Sequence, residues 1–558
     1  MNRNTEAHFG QIPTIDLKRS TFDLSFDHKT TFNTGDIVPI MVQEILPGDT
    51  FNLETNFIVR MQTPIKPVMD DAFIDIYYFF VPNRLVWDHW PEFMGENKDG
   101  AWDEQETEYT IPSIVQFGNE MTIQKGSVAD HMGLPINSTI ISADISVLPF
   151  RAYTLIYNEW FRNQNLQAPL PTYHQNDNSI IITTEELRND PAYGGKLLKA
   201  NKFADYFTTA LPEPQKGDPV TINIGDEAPV LTSDKEFEET KTGNPLKMWL
   251  ATTGNMPDPG TLTLNSQSAH SRTLINIATE TLPEGTKQLA VPSNLYADLS
   301  SATSVTVNQL RQAIQIQKFL ERDARSGTRY IEIIKGHFGV TSPDARMQRP
   351  EYLGGNRFPI NMDQVLQTSE STSNSPQGNT AAFSLTGARS SAGFTKSFTE
   401  HGYIIGLAVV RTQHSYQQGI NKMWSRKRRY DFYWREFANL GEQEVKVAEI
   451  YNDSNADYGD KTFGYQERYA EYRYNPNIIT GEMRSTYAQS LDVWHYGDEY
   501  STRPYLSAEW CEETANNMDR TLAVQSSTAD QFLAEFYFKI KATRPMPIYG
   551  VPGMMDHF

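Results

Sequence analysis

The chain has 558 residues, and 49 Lys and Arg oppose 69 Asp and Glu, which gives a formal net charge of −20. An acidic chain is a poor non-specific binder of nucleic acid, because neutralising phosphates requires clustered cations. The one cysteine, Cys511, excludes an internal disulfide and a zinc knuckle. Aromatic residues make up 12% of the chain, with 34 Gly and 31 Pro, a mixture typical of many short strands joined by turns and long loops.

No targeting or membrane segment is expected. The first residues, MNRNTEAHFGQIP, lack the apolar core of a signal peptide. The longest apolar runs, Ile74–Val81 and Tyr403–Val410, are far shorter than the ~20 residues that a membrane-spanning helix needs.

The first predicted elements are strands at Ile37–Val42 and Phe51–Met61, separated by a turn at Leu46–Asp49. The next, Ala72–Pro82, reads AFIDIYYFFVP and is nearly apolar on both faces. A strand with one wet face alternates apolar and polar residues. We therefore expect Ala72–Pro82 to be covered on both sides and to organise the fold.

Two helices are predicted from apolar residues at helical spacing, over Arg151–Asn163 and Thr306–Ala324. Thr368–Ser397 is rich in Ser, Thr, Asn and Gly and predicts a long loop. Tyr403–Arg411 predicts a second buried strand, in which Gly406 indicates a bulge or a close backbone approach.

The last clear element, Leu533–Thr543, predicts a half-buried antiparallel strand because its residues alternate. The inward set is Ala534, Phe536, Phe538, Ile540 and Ala542. Strand–helix–strand alternation is absent, so the sequence predicts an all-β antiparallel sandwich with very long inter-strand loops and a few helices.

A change in composition suggests an insertion. Prolines punctuate short Val, Ile and Leu patches between about Leu211 and Pro292, so we expect a core domain over 1–212 and 293–558, with an arm at each end, and an inserted subdomain over 213–292. Within the insertion lies a compact apolar patch, which is either its own small core or an exposed contact surface. Its central residues are Met248, Trp249 and Leu250.

Catalytic and metal motifs are not found. The sequence contains no GxGxxG, no GxxxxGK[ST], no GxSxG and no HExxH. The run Asp453–Asp457 begins like a calcium loop, but Tyr458 stands where the turn glycine belongs and Gly464 where the bidentate Glu belongs. We therefore expect no catalytic residues, no metal and no cofactor.

One local anomaly is the run from Lys422 to Trp434, where five cations lie beside five aromatic rings in an otherwise acidic chain. Cations with interleaved rings suit single-stranded nucleic acid, because charges meet phosphates and ring faces meet bases. The alternative is that the cations pair with acidic loops of the same or neighbouring chains. The residues predicted to bind nucleic acid are Lys422, Trp424, Arg426, Lys427, Arg428 and Arg429.

Several ordered segments resemble the major capsid protein of the gokushoviruses, within the Microviridae. The first is HFGQIPTIDLKRSTFDLSFDHKTTFNTGDIVPIMVQEILPGDTF; the others are VRMQTPIKPVMDDAFIDIYYFFVPNRLVW and RPMPIYGVPGM. The resemblance spans nearly the whole chain, including the proline-rich insertion.

This resemblance implies an eight-stranded viral β-jelly roll whose copies form a T=1 icosahedral virion around circular single-stranded DNA. It implies assembly in the bacterial host cytoplasm, with an internal scaffolding protein, a DNA pilot protein and a small basic DNA-packaging protein as partners. The insertion would project around the three-fold axes and contact a receptor on the bacterial surface.

A second class stays open from the residues alone. Jelly rolls also serve as lectin domains, so the chain is alternatively a β-sandwich glycan-binding protein or a glycan-active enzyme. A glycosidase needs two carboxylates at a fixed separation in a cleft, which spacing in a sequence does not establish.

Overall fold

The structure, a computed structural model, describes the following residues: 18–96, 108–116, 120–136, 140–141, 145–175, 180–182, 185, 189–220, 230–235, 238–240, 248–251, 289–292, 295–297, 307–327, 330–339, 348–366, 368, 380–452 and 459–549. The predicted arms lie partly outside this set, over 1–17 and 550–558, as does the calcium-like run Asp453–Asp457.

Eight strands form the two main sheets. They are β1 (Phe26–Phe32), β2 (Val38–Ile45), β3 (Thr50–Met61), β4 (Ala72–Pro82), β5 (Glu351–Pro359), β6 (Thr380–Ser397), β7 (Gly402–Thr412) and β8 (Phe532–Arg544). Hydrogen-bonded neighbours follow the order β1-β8-β3-β6 in the first sheet and β2-β7-β4-β5 in the second. All these pairs are antiparallel.

This strand order is that of a jelly roll, because each sheet joins strands from the beginning of the chain to strands from its end. Two short strands extend the first sheet: Ser20–Asp23 pairs with β8, and Asp363–Leu366 pairs with β6. The expected all-β jelly roll is confirmed.

The remaining elements lie in the connections. The helices of two turns or more are α1 (Leu148–Ile156), α2 (Val307–Ser326) and α3 (Tyr330–Phe338), and Tyr157–Phe161 continues α1 as a π-helical turn. Single α-helical turns are Trp90–Phe93, Val128–His131, Val447–Ile450, Ala508–Cys511 and Asn516–Asp519. The 3-10 turns are Asn83–Leu85, Pro191–Tyr193, Lys422–Trp424, Arg429–Asp431, Arg435–Phe437, Ala470–Tyr472, Gly481–Met483 and Asp492–Trp494. The short strands are Ile114–Gln116, Glu120–Met121, Ile140–Ile141, Ile180–Ile182, Val230–Lys235, Glu238–Thr240, Met248–Ala251, Leu289–Pro292, Leu295–Ala297, Ser415–Tyr416, Glu442–Lys446, Thr462–Glu467 and Asn477–Ile478.

Strand β4 is buried on both faces, as its sequence predicts. Ile76 and Tyr78 are fully buried on the face toward the first sheet, where the Tyr78 hydroxyl meets Thr55 of β3. Phe79, on the opposite face, is also buried and packs on Phe161 beyond α1. The connections between strands therefore act as a third layer over the second sheet.

Strand β8 is half-buried, also as predicted. Its inward residues, from Phe532 to Ala542, are buried, while Tyr537 and Lys539 between them face solvent. The core between the sheets consists of inward-facing residues of this kind, and β8 supplies three phenylalanines to this core.

Gly406 of β7 allows the predicted irregularity. The register with β2 shifts between Gly406 and Leu407. A Cβ at Gly406 would lie 2.8 Å from Tyr78 Cε1 and 3.1 Å from Met41 Cβ, so only glycine fits between these neighbours without displacing them.

The loop predicted over Thr368–Ser397 is wrong for most of its length, because Thr380–Ser397 is the long strand β6. Its small polar residues misled the prediction. Ser384 and Thr386 are buried, and they pair with the backbone oxygen and nitrogen of Asn361 at 2.7 and 2.8 Å. Pairing with β3 over eleven positions outweighs the weak strand preference of this composition.

The two predicted helices are present with shifted boundaries, at Leu148–Ile156 and Val307–Ser326. Contacts divide the chain into two compact units: Met1–Pro214 with Asp323–Phe558, and Gln215–Arg322. The insertion boundaries at 213 and 292 stay a prediction. Among the described residues, no helix has the length and apolarity to cross a bilayer.

Candidate nucleic-acid interface

The cation-rich run forms an exposed loop made of short turns. The Asn421 side chain accepts a hydrogen bond from the Met423 amide at 3.0 Å. The Asp431 carboxylate accepts from the amides of Lys427 and Arg428 at 2.8 and 2.7 Å, and these bonds lower the pKa of Asp431. The loop is therefore shaped by bonds to its own backbone, which leaves the cationic side chains of Lys427 and Arg428 outside those bonds.

Two of the five predicted cations are paired within the chain. Arg426 lies 3.1 Å from Glu471, with both side chains at most 10% exposed, and its guanidinium lies over the ring of Tyr472 at 4.3 Å. Lys422 donates to the Glu444 carbonyl at 2.8 Å and lies 3.7 Å from the Glu449 carboxylate. Arg426 and Lys422 therefore pair with acidic side chains of the same chain, as the alternative interpretation of this run expects.

The other three cations are exposed. Lys427, Arg428 and Arg429 make no ion pair within the part of the chain that the structure describes. The Arg429 guanidinium lies 4.8 Å from the ring centre of Trp434, which holds it beside an aromatic face. These three form the cationic rim of the loop.

Large aromatic side chains surround this rim and remain open to solvent. Trp424 is 75% exposed, and Tyr430, Phe432 and Tyr433 are each more than half exposed. Several large exposed rings on one loop are typical of a contact site. Rings beside unpaired cations can stack on bases while the charges meet phosphates.

The cleft behind the loop is not a strongly positive site. It has a volume of about 790 Å³, and acidic as well as basic side chains line it. The acidic ones are Asp431, Glu442, Glu444, Glu449, Asp460 and Glu471. A polyanion would therefore contact the exposed rim of the loop and not the cleft floor.

A buried charge network, which sequence reasoning missed, lies where β7 ends. The His414 ring is 2% exposed; its Nδ1 lies 3.0 Å from Asp498, and its Nε2 lies 2.9 Å from Glu513. Burial disfavours the imidazolium, but the two carboxylates outweigh it and raise the pKa of His414 to about 10. Lys202, 3.5 Å from Asp498, adds a second cation.

This network ties together parts of the chain that are far apart in sequence. The Thr412 hydroxyl donates to Glu513 at 3.0 Å, and Asn517 also donates to Asp498. With two cations and two carboxylates, the network is charge-neutral as a whole. Because buried charges need partners, it fixes the segment 498–517 against the end of β7.

Metal ligation is not indicated. Within the described ranges, no three His, Cys, Asp or Glu side chains lie close enough to hold a metal ion.

The predicted host-contact residues Met248, Trp249 and Leu250 lie on the strand Met248–Ala251, which pairs with Leu289–Pro292. Much of the surrounding insertion lies outside the described residues.

The fold defines a class of protein. Two antiparallel sheets in jelly-roll order, joined by very long connections, are the architecture of a jelly-roll protein, a class that includes viral capsid and lectin domains.

Comparisons with known proteins give the family. The model of the family described as capsid protein (F protein) matches residues 10–554. The chain is 43% identical to capsid protein VP1 of Bdellovibrio phage phiMH2K, covering 100% of this chain and 99% of that protein. It is 38% identical to capsid protein VP1 of Chlamydia phage 1, over 98% and 97% of the two chains. It is 41% identical to capsid protein VP1 of Spiroplasma virus 4, over 94% of each.

The chain belongs to the F-protein family of capsid proteins. The expected gokushovirus resemblance is confirmed, and with it the function of a major capsid protein that forms part of the virion. Because the matches extend over nearly the whole chain, the connections between the strands belong to the family as much as the sheets do.

Proposed function

We propose that copies of this chain assemble into a T=1 icosahedral shell that encloses circular single-stranded DNA, and that the role is structural and not catalytic. Family membership supports shell formation. The observation that carries the DNA contact is the exposed rim of Lys427, Arg428 and Arg429, on the same loop as the exposed ring of Trp424. Lys422 and Arg426 contribute by holding the loop through their pairs within the chain.

The rim is too small to neutralise a genome. The chain carries a net charge of −20, so its own field repels a polyanion outside such local sites. A small basic DNA-packaging protein would supply the missing positive charge. An internal scaffolding protein and a DNA pilot protein complete the set of partners that the family resemblance implies, with assembly in the host cytoplasm.

The DNA contact is tested by reversing the three rim charges together, as Lys427→Glu, Arg428→Glu and Arg429→Glu. The matched control keeps the charges and changes the side chains, as Lys427→Arg, Arg428→Lys and Arg429→Lys. Removing three phosphate contacts lowers the slope of log affinity against log salt by about 2 for a single strand. We expect shells of the reversed variant to package less DNA, as measured by absorbance ratio and sedimentation. Normally filled particles would exclude this contact.

The insertion over 213–292 is proposed to project around the three-fold axes and to contact a receptor on the bacterial surface, through a patch that includes Met248, Trp249 and Leu250. Its support is the separate compact unit Gln215–Arg322. Deleting Pro245–Pro259 should abolish adsorption to the host while shells still form. Unchanged adsorption of intact shells would count against this role.

A further inference from the structure

A ring-lined pocket lies on the face of the second sheet that points away from the first sheet. It has a volume of about 250 Å³, and Phe79 of β4, Trp160 beyond α1 and Tyr352 of β5 contribute to its walls. The ring centres of Trp160 and Tyr352 are 5.8 Å apart, and each lies 5.5 Å from that of Phe79. Three rings from three separate elements therefore meet at one site.

Two of these rings are only partly covered by the fold. Phe79 is 1% exposed, whereas Trp160 is 40% exposed and Tyr352 is 42% exposed. The indole nitrogen of Trp160 donates to the Pro350 carbonyl at 3.1 Å, which fixes the orientation of the ring. The pocket therefore offers preset aromatic surface to a ligand at little cost in side-chain entropy.

Cations complete the chemistry of the pocket. Arg411 lines it and is held by the buried Asp75 carboxylate and by the Tyr77 hydroxyl. Arg349 lies over the Trp160 ring at 5.1 Å and makes no ion pair among the described residues. Ring faces with adjacent guanidinium groups suit a flat heteroaromatic ring that carries a phosphate, because the base stacks while the phosphate meets the charge.

Two polar clefts lie between the pocket and the cation-rich loop. The pocket shares Asn201 and Lys202 with a polar cleft of about 640 Å³. That cleft shares Glu442 with the cleft behind Lys427 and Arg428. A single strand that runs along the rims of these clefts, away from their acidic floors, would bring its phosphates to the cations of the loop and one base to the ring-lined pocket.

We infer that the pocket formed by Phe79, Trp160 and Tyr352 beside Arg411 binds one unpaired nucleobase of the enclosed single strand. This inference rests on the proposed DNA contact and deepens it. The loop would hold phosphates of the strand, and the pocket would hold one of its bases. An aromatic side chain of a partner protein is the competing occupant, and the experiment separates the two.

The test compares two fluorescently labelled probes on the purified full-length chain: a short oligothymidine and an abasic oligomer of equal length. Both carry the same phosphates, so only a base site distinguishes them. One stacked base should make the oligothymidine bind about 5- to 150-fold more tightly. Trp160→Leu should reduce this difference by the share that the pocket contributes, while the abasic affinity and its salt dependence stay unchanged. Tyr352→Leu provides a second variant, and Tyr505→Leu, at an exposed ring outside the groove, is the matched control.

Photo-crosslinking gives the location. An oligomer with 5-iodouracil should form an adduct on Trp160 or Tyr352, mapped by mass spectrometry of the digested protein. Equal affinity for the two probes, or discrimination that persists undiminished in both leucine variants, would overturn the base site. Normal discrimination with defective assembly in those variants would assign the pocket to a partner protein. If neither probe binds at all, the proposed DNA contact fails together with this inference, whereas abasic binding without discrimination refutes the base site alone.

Discussion

Replacing His414 with glutamine should cost this protein a large part of its stability. The imidazolium lies between Asp498 and Glu513, and glutamine removes its charge while leaving both carboxylates buried. Raising the pKa of His414 from 6.5 to about 10 corresponds to about 5 kcal/mol, at 1.36 kcal/mol per pH unit. Breaking a buried ion pair costs a similar ~3–5 kcal/mol.

The pH dependence distinguishes a charge effect from a packing effect. Because the folded-state pKa of His414 is raised, its contribution is fully present below the unfolded value and is lost as the pH rises through the folded value. The stability gap between the native chain and His414→Gln should therefore fall from about 5 kcal/mol at pH 6 to about 1–2 kcal/mol at pH 9.

The assay is urea unfolding followed by tryptophan fluorescence at pH 6, 8 and 9. His495→Gln is the matched control, since His495 is also buried but bonds backbone groups, the Met483 carbonyl and the Gly497 amide. Its loss should be about 1–3 kcal/mol. A gap for His414→Gln that stays constant from pH 6 to pH 9, or that is below about 1 kcal/mol, would refute a buried imidazolium.

Two further predictions concern the sandwich, and thermal or urea unfolding measures both. Gly406→Ala should destabilise the chain by about 1–3 kcal/mol, since its Cβ would lie 2.8 Å from Tyr78 Cε1. The control Gly387→Ala, whose Cβ would lie 3.4 Å from its nearest neighbour, should change stability by less than about 1 kcal/mol. Equal effects of the two substitutions would contradict the close packing at β7. Phe538→Ala should lower the free energy of unfolding by about 3–5 kcal/mol, because Phe538 is fully buried. Its outward neighbour Tyr537 is 39% exposed, so Tyr537→Ala should lower it by only about 0.5 kcal/mol. Similar losses of stability for the two variants would contradict the assigned faces of β8.

The strands with a clear side-chain pattern could be predicted from the sequence. β4 has apolar residues at both parities and is covered on both sides, while β8 alternates and is buried on one side. In both cases the pattern reflects the same burial that drives the strand to pack. The bulge at Gly406 could also be predicted, because a glycine within a buried strand indicates closely packed neighbours.

Strand β6 escaped prediction because its partners, and not its own residues, stabilise it. Ser384 and Thr386 become suitable core residues only when Asn361 supplies their hydrogen bonds. The His414 network escaped for the same reason, since Asp498 and Glu513 lie 84 and 99 positions away. Ordinary histidine and carboxylate residues acquire this role through the fold alone.

The cation-rich loop shows a third limit of sequence reasoning. Its composition indicated a contact site, but composition does not distinguish Arg426, which pairs with Glu471, from Arg428, which is exposed. The ring-lined pocket gave no local signal at all, because Phe79, Trp160 and Tyr352 come from distant parts of the chain.

A closed shell is the assembly that this chain is proposed to build. Electron microscopy of the purified full-length chain, with sedimentation of the same sample, tests it most directly. We expect closed isometric particles of one uniform size consistent with T=1 symmetry. If the chain remained a monomer or a small oligomer even when co-expressed with the proposed internal scaffolding protein, shell assembly by this chain would be contradicted.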